Sequence, residues 1–490
     1  MANERELTSS DLFGDVVGWH PARIARASIS HTQVDRRNIA FMVGFWVLAI
    51  VGGQSGPTAK LTEIAFTPAA VLLGFQFWQT STGAYLGFIW QLFFFSCAIR
   101  RFTDFQLGWN PTNFAIVAPY LTSIWCCITL LKPRQAFMRD FGLIAAALLW
   151  ALAIGVLHNG ISAAGFAMLE WGTGPLIAAY LLATCTEAES IKSWLIWVSA
   201  AGVIVMSLYG IAQYVAPARW DLNWIVWSGM EPVIGLSPGG LRVFSTMNSP
   251  WPFAMTLMAL LLFLVGSRGW FAARSVAVVS GLIALIASQT RAAWGGLVIG
   301  WLVLAICAGR NRGRFLVTGA LLGLISGLAV IAMPQGRALT DRLETLGSLR
   351  SDDSFSVRAR FYQSFAIEAL GQPIGAGLGR TGVATRLSND SSMLHFDSGL
   401  MNVPYVLGWV GTLLYVSGLV PILVAVVQGR RTLSPAGVAA AAACVGLLSQ
   451  MLFLNSLIAA SGVIFWTLLG LCLRDVLSNQ PAVAISRAKS

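Results

Sequence analysis

PQGRALTDRLETLGSLRSDDSFSVRARFYQSFAIEALGQPIGAGLG, residues 334–379, opens the longest polar interval of an otherwise apolar chain, and this interval continues to Ser398. It carries seven arginines, seven acidic residues and no lysine. The arginines are Arg337, Arg342, Arg350, Arg358, Arg360, Arg380 and Arg386. Because a guanidinium group binds phosphate or carboxylate through two parallel hydrogen bonds, such a set indicates anion recognition. We interpret the interval as an active-site loop supported by the apolar remainder of the chain.

The remainder of the chain has the composition of a helical membrane protein. Of the 490 residues, 56% are hydrophobic and 11% are charged, and the mean hydropathy is +0.70. Apolar runs of roughly 16–25 residues recur, which suits transmembrane helices. The sequence predicts an all-α integral membrane protein with roughly 14 transmembrane helices (about 12–14) and a large external loop containing short amphipathic helices. The predicted spans are 39–54, 64–79, 84–100, 114–131, 141–157, 161–185, 191–214, 251–267, 274–290, 292–309, 315–333, 399–427, 437–455 and 457–473.

The charge distribution predicts the orientation of these spans. With both termini in the cytoplasm, the cytoplasmic segments carry a net charge of +10 and the external loops +2, as the positive-inside rule requires. Residues 1–38 lack the apolar core of a cleaved signal peptide, so we expect the first span to be retained. The predicted regions are a cytoplasmic tail at 1–38, a transmembrane bundle at 39–333 with a periplasmic loop at 215–250, the periplasmic active-site loop at 334–398, C-terminal transmembrane helices at 399–473 and a cytoplasmic tail at 474–490.

Two classes of function are disfavoured by the same composition. The pI of 9.7 does not indicate nucleic-acid binding, because the excess positive charge lies in short loops between spans. All seven cysteines lie in or beside apolar runs, with no zinc-site spacing and no disulfide framework. No DxD motif is present to hold a metal and a nucleotide sugar. We therefore expect neither a metal nor a cofactor.

Two external segments lie before the long loop. GLRVFSTMNSPWP, residues 240–252, contains Arg242 and leads into a span that begins near Pro250. Arg242 there is either functional or a membrane-anchoring side chain. SQTR, residues 288–291, joins two spans with almost no loop, so Arg291 lies at the membrane surface. An ionisable residue in that place is costly and is usually paired or functional.

Two further segments lie within the long loop. Residues 357–370 predict an interfacial amphipathic helix, with Arg358 and Arg360 in its first turn. After it, Gly375, Gly377 and Gly379 predict a flexible turn whose backbone N–H groups could reach an anion.

LHFDSGL, residues 394–400, places His395 and Asp397 just before a span. A histidine can act as a base, and a nearby carboxylate can orient or replace it. His395 can equally be a solvated loop residue. Trp220, Trp224 and Trp227 in the 215–250 loop form either an interfacial belt or a platform for sugar rings.

These segments together resemble the O-antigen ligase/polymerase family of bacterial membrane glycosyltransferases. Members carry an arginine followed by an Asn-Pro-like helix start, here Arg242 and then Asn248 and Pro250. They also carry a T-x-S-R-like turn between two spans, which corresponds to SQTR ending at Arg291. The order of the two motifs and their predicted external position both match.

The resemblance continues through the long loop. Members have an arginine, three residues, an aromatic residue and then P-hydrophobic-G-x-G, here Arg358, Tyr362 and PIGAG. A His or Asp-Asn follows at the next span, here HFDSGL, with a Gly-x-x-Gly further on, here Gly408 and Gly411. The resemblance covers roughly residues 240–411.

The resemblance implies a donor glycan on undecaprenyl diphosphate at the outer leaflet of the bacterial inner membrane. The enzyme transfers the glycan to an acceptor hydroxyl and releases the lipid diphosphate. The implied diphosphate-binding residues are Arg242, Arg291, Arg358 and Arg360. The implied catalytic residues are His395 and Asp397. Family members often have His-Asn where this chain has His395-Phe396-Asp397, so either residue can be the base.

Three functions remain open from the sequence. The first is polymerisation of lipid-linked repeat units for an exopolysaccharide, capsule or O-antigen, with a chain-length regulator and a flippase as further partners. The second is the ligase that transfers the glycan to lipid A core, which shares the same motifs. The third is a polysaccharide or lipid-linked-sugar transporter, favoured by Glu170, which lies inside the predicted span 161–185 next to Gly172, Gly174 and Pro175, where the span would be interrupted. The concentration of polar residues in two external loops disfavours the transporter. Between the polymerase and the ligase, which share the motifs, we favour the polymerase.

The predicted orientation can be tested with single cysteines. Cysteine at position 350 or 385 should react with a membrane-impermeant thiol reagent added from the periplasmic side. Cysteine at position 312 or 431 should be protected until the membrane is permeabilised. Labelling of position 312 from the periplasm in intact cells would contradict the orientation.

Overall fold

The computed structural model describes residues 34–130, 137–184, 188–230, 241–307, 312–332, 371–388 and 398–479, together with residues 362, 365, 367, 368 and 396. Within these ranges the chain is helical and contains no strand. The long helices are α1 (Arg36–Gln54), α2 (Gly56–Thr80), α3 (Thr82–Leu107), α6 (Met138–Asn159), α7 (Ile161–Ala183), α8 (Ala188–Val215), α10 (Pro250–Gly266), α11 (Phe271–Ala287), α12 (Arg291–Cys307), α13 (Arg312–Ile331), α14 (Gly399–Gln428), α15 (Pro435–Ser449) and α16 (Ala459–Asn479). The short helices are α4 (Ala118–Thr122), α5 (Trp125–Leu130) and α9 (Arg219–Ser228).

The helices confirm a multi-pass membrane protein. In the described ranges, nine helices are long and apolar enough to cross a membrane: α1, α2, α3, α6, α7, α8, α14, α15 with the turn that follows it, and α16. Five shorter apolar stretches, 114–130, 250–266, 271–287, 291–307 and 316–328, coincide with the remaining predicted spans. The total of 14 spans and the periplasmic position of the long loop stay predictions.

Three predicted spans differ from the observed helices. α2 begins at Gly56 rather than near residue 64, with Pro57 in its first turn, where proline is favoured, and with Lys60 paired to Glu63 at 2.7 Å. α7 is continuous, with Pro175 inside it, so the predicted interruption is wrong. A transmembrane helix tolerates proline where neighbouring groups satisfy the freed carbonyl. The helix in the predicted span 437–455 is shorter than predicted, since α15 ends at Ser449.

The centre of the bundle is formed by α3, α10 and α16. Every residue of α10 from Phe253 to Leu264 is fully buried. Trp90 of α3 donates its indole N–H to the hydroxyl of Thr467 of α16 at 3.3 Å. A helix that is apolar on all sides is stable only when other helices surround it. The outer helices, among them α1 and α14, expose many large apolar side chains, as lipid-facing helices do.

Loops predicted to share one side of the membrane lie at the same end of the bundle. At one end, Asn159 contacts the 376–378 backbone, and Gln106 donates to the carbonyl of Gln54. At the other end, Lys192 pairs with Asp475 at 2.8 Å. We call the first the site end, because it carries Arg242 and Arg291.

Helix α14 is broken at Gly408, where φ is +68°. The break releases backbone groups that lipid cannot hydrate, and residues 373–377 satisfy them. The backbone N–H of Trp409 donates to the carbonyl of Pro373 at 2.9 Å. In the other direction, the backbone N–H of Ala376 donates to the carbonyl of Tyr405 at 2.8 Å, and that of Gly377 donates to the carbonyl of Val406 at 3.0 Å. The glycine-rich turn and the helix break therefore hold each other.

The opposite side of the glycine-rich turn packs on α6. Leu378 donates its N–H to the carbonyl of Ala151 at 2.9 Å. The side-chain amide of Asn159 donates to the carbonyls of Ala376 and Leu378, each at 3.0 Å. The N–H groups of residues 376–378 are thus bonded within the protein. The predicted flexible, anion-binding turn is wrong at these positions.

The glycines are required because the backbones approach so closely. Gly375, Gly377 and Gly379 have φ between +79° and +89°, which other residues rarely adopt. A Cβ added at Gly377 would overlap the backbone of Gly155, and one at Gly375 would overlap Gly408. No larger side chain fits there without separating the helices.

Replacement of Gly377 by alanine should therefore destabilise the fold strongly. Gly377→Ala combines backbone strain with an overlap, for an expected loss of about 3–5 kcal/mol. The matched control is Gly382→Ala, because Gly382 has φ of +73° but open space around its Cβ. The control should lose only about 1–2 kcal/mol. Thermal unfolding of the purified variants measures the difference, and equal losses would contradict the packing role.

Candidate functional site

The SQTR turn between α11 and α12 is buried at the site end. Ser288, Gln289 and Thr290 are each 3% exposed or less. Ser288 donates its hydroxyl to the carbonyl of Leu285 at 2.6 Å, and Thr290 donates its own to the carbonyl of Ser288 at 3.2 Å. Gln289 has φ of +53°. These contacts place Arg291 at the first position of α12.

Arg242 and the SQTR turn meet directly. The Nη2 of Arg242 donates to the hydroxyl of Thr290 at 3.2 Å, so the two arginine motifs are adjacent in space. Arg242 and Arg291 are both half-buried. The N-terminus of α12 adds the partial positive charge of its helix dipole. This part of the predicted site can stabilise an anion.

A buried ion pair holds the segment that carries Arg242. The Nη1 of Arg101, in α3, lies 2.9 Å from Oδ1 of Asp221, in α9, and neither side chain is exposed. Arg101 also donates to the carbonyl of Ser245 at 2.5 Å and stacks over the ring of Phe244 at 4.9 Å. The ion pair therefore fixes the backbone directly after Arg242.

The same network includes an amide and two hydrogen bonds to the loop. Gln213 donates to Asp221 at 2.8 Å, and its Oε1 accepts from the backbone N–H groups of Phe244 and Ser245 at 3.0 and 2.8 Å. Tyr209 donates a further hydrogen bond to Asp221 at 2.8 Å. Desolvated charges are stable only when surrounded in this way.

The tryptophans of the 215–250 loop support this network. Trp220 donates to the hydroxyl of Tyr209 at 2.7 Å, and Trp224 donates to the carbonyl of Asn248 at 3.1 Å. The guanidinium of Arg100 lies 5.0 and 5.1 Å from the ring centres of Trp109 and Trp224. Trp220 and Trp224 thus have a structural role, beyond the interfacial belt or sugar platform expected from the sequence.

The two motifs of the long loop are in contact through their described residues. Ser398 donates its hydroxyl to the hydroxyl of Tyr362 at 2.8 Å, and the rings of Phe365 and Phe396 are 5.0 Å apart. Both rings also pack on Tyr405 of α14. The predicted site residues Arg358, Arg360, His395 and Asp397 lie outside the described residues.

Residues 450–455 connect the two parts of the site, and the sequence did not indicate them. Gln450 donates its amide to the carbonyl of Ala292, next to Arg291, at 3.0 Å. Two residues further, the carbonyl of Leu452 accepts from Tyr362 at 2.6 Å. The only available signal was the presence of Gln450 and Asn455 in a predicted apolar span.

A second chain of amides fixes the glycine-rich turn to the same segment. Asn455 donates to Asn402 at 3.0 Å, and Asn402 donates to the hydroxyl of Thr381 at 2.9 Å. All three side chains lie at the site end, between α14 and the start of α16. The pieces predicted from motifs therefore converge on one region.

Comparison with known proteins gives a family match for part of this region. A family model described as O-antigen ligase matches residues 276–416, less than a third of the chain. The match runs from α11 to α14 and includes the SQTR turn, the long loop and the broken helix, but not Arg242. It confirms the resemblance to the O-antigen ligase/polymerase family. No curated protein matches the chain.

Loss of the buried ion pair should destabilise the site end. Asp221→Asn leaves the Arg101 charge buried without its counter-charge, so we expect a loss of about 3–5 kcal/mol. The double variant Arg101→Met/Asp221→Leu should recover most of it, because no charge then remains buried. Lys60→Met, which breaks a pair whose lysine is 65% exposed, should cost at most about 1 kcal/mol. Thermal unfolding of purified protein tests this ranking, and an Asp221→Asn loss no greater than that of Lys60→Met would refute it.

Proposed function

We propose that this chain, which matches the O-antigen ligase family over residues 276–416, polymerises undecaprenyl-diphosphate-linked oligosaccharide repeat units at the periplasmic face of the bacterial inner membrane. The product is an exopolysaccharide, a capsule or an O-antigen. The observation that carries the proposal is the hydrogen bond between Arg242 and Thr290. Arg242 and Arg291 are 49 positions apart in the sequence. The hydrogen bond brings the two arginine motifs together at the start of α12.

The chemistry needs positive charge where the leaving group departs. Transfer breaks the bond between the first sugar carbon and the diphosphate oxygen, so negative charge develops on the lipid diphosphate. Donors fixed before the reaction stabilise such charge most effectively, because they need no reorganisation. The guanidinium of Arg242 is held by the Thr290 contact, and the backbone of Arg291 is held at the start of α12. This stabilisation requires no metal ion.

The acceptor hydroxyl must lose a proton as the new glycosidic bond forms. His395 or Asp397 is proposed to accept it, and Arg358 and Arg360 are proposed to bind the diphosphate with the first two arginines. The contacts of Tyr362 with Ser398 and with Leu452 support a common site, because they bring both loop motifs towards Gln450 and the start of α12.

A ligase is the second candidate, because the matched family model is described as O-antigen ligase. Lipid-linked glycans of a deletion strain separate the two activities. A polymerase deletion accumulates single repeat units on the lipid, whereas a ligase deletion accumulates full-length chains. A transporter is disfavoured further because α7 continues through Gly172, Gly174 and Pro175, although Glu170 remains within it.

The proposal predicts a sharp difference between two arginine-to-lysine substitutions. Arg291→Lys keeps the charge but loses the planar fork that grips two phosphate oxygens. We expect normal folding and a loss of turnover of about 10²- to 10³-fold, the effect of removing one fixed donor. Turnover of a lipid-diphosphate oligosaccharide by purified protein without added metal is the measurement.

The control for this substitution is an arginine of the long loop that lies outside the motifs. Arg386→Lys alters an exposed arginine that donates to the carbonyl of Ser228 at 2.9 Å, away from the SQTR turn. It should leave turnover nearly unchanged. Near-normal turnover of Arg291→Lys, or strict dependence of the wild type on a divalent ion, would exclude the proposed mechanism.

A further inference from the structure

Gln289 occupies an unusual position in the SQTR turn. Its side chain is 3% exposed, and neither the Oε1 nor the Nε2 atom has a hydrogen-bond partner in the structure. Its backbone has φ of +53°, in the left-handed region. Gln289 therefore carries two energetic costs, an amide without hydrogen bonds and a strained backbone.

A structural role does not account for these penalties. A buried amide without partners loses its hydrogen bonds to water and gains none in exchange. The left-handed backbone would be better served by glycine or asparagine. Strain and unsatisfied polar groups of this kind concentrate where a ligand binds.

The position of Gln289 indicates which ligand group it would contact. It lies between Ser288 and Thr290, and Thr290 holds Arg242 while Arg291 follows directly. A second buried amide lies nearby. Gln450 donates to the carbonyl of Ala292, and its own Oε1 lacks a partner.

The chemistry of these atoms distinguishes a sugar from a phosphate. An ionised diphosphate offers only acceptors, which the guanidinium groups of Arg242 and Arg291 match. The unpartnered amide oxygens of Gln289 and Gln450 need O–H donors. Sugar hydroxyls supply such donors and also accept from an amide N–H.

We propose that Gln289 binds the first sugar of the lipid-linked donor, beside the diphosphate held by the arginines. This inference rests on the proposed function. The amide would fix the sugar ring relative to the bond that breaks, and Gln450 would contact the same ring or its neighbour. Gln289 is thus a substrate-binding residue that discriminates a glycosylated lipid diphosphate from the bare one.

The test compares two probes on purified full-length protein in lipid nanodiscs. The probes are undecaprenyl diphosphate bearing one sugar and undecaprenyl diphosphate without a sugar. Gln289→Met replaces the amide with an apolar chain of similar length. It should weaken binding of the sugar-bearing probe about tenfold, or about 1.4 kcal/mol, and should change binding of the bare probe less than about twofold. The melting temperature should rise, because a buried polar group without partners has been removed.

Two further variants separate the amide from the backbone. Gln289→Gly removes the amide and relieves the positive φ, and it should bind the sugar-bearing probe as weakly as Gln289→Met. Ala459→Gly relieves a φ of +52° at another turn and should leave both affinities unchanged.

The outcomes are distinct. Equal weakening of both probes, unchanged affinity for the sugar-bearing probe, or a lower melting temperature for Gln289→Met would overturn the sugar-binding role while leaving the proposed function intact. Failure of the wild type to bind either probe would overturn the proposed function, and this inference with it.

Discussion

The structure of the site end depends on backbone hydrogen bonds that the membrane cannot supply. In hydrocarbon, an unsatisfied N–H or C=O costs several kcal/mol, so α14 can break at Gly408 only if another segment completes its hydrogen bonds. Residues 373–377 do so, with three bonds of 2.8–3.0 Å. The glycine-rich turn is therefore part of the transmembrane scaffold, although it belongs to the long polar loop. The loop that we propose to be catalytic is anchored in the bundle at this turn.

From this anchor, short side chains carry the constraint towards the arginines. Thr381, Asn402 and Asn455 form one line of hydrogen bonds, and Asn455 follows the turn whose Gln450 contacts the carbonyl of Ala292. On the other side, the Arg101–Asp221 pair fixes the backbone after Arg242. One set of contacts ends at α12 and the other at the backbone after Arg242, and the hydrogen bond from Arg242 to Thr290 joins them. The relative position of the two arginine motifs is therefore determined before any ligand binds. Such preorganisation is what stabilisation of a developing charge requires.

The sequence predicts the membrane fold, because hydropathy and loop charge are local signals, and the family resemblance groups Arg242 with Arg291 of the SQTR turn. The family match covers the SQTR turn but not Arg242. Other features depend on distant partners and leave no such signal. Arg101 and Asp221 lie in separate helices, and nothing in either local sequence indicates their pairing. The Gly-x-Gly-x-Gly pattern predicted an anion site, yet the same spacing serves here to bring three backbones together. Gln450 and Asn455 were hidden within an apolar run.

The arginines of the site end differ in burial, and we use this difference to separate their roles. Arg100 and Arg101 are at most 5% exposed, with Asp104 and Asp221 as their respective carboxylate partners. Their charges are compensated, so they stabilise the fold. Arg242 and Arg291 are half-buried, and Arg242 contacts a neutral hydroxyl. A guanidinium near the surface of a low-dielectric bundle attracts an anion more strongly than one in water, and it does so without the full desolvation penalty of the interior. The donor that we propose, a lipid-linked diphosphate, would approach these arginines from the membrane, so half-buried arginines suit it better than exposed or fully buried ones.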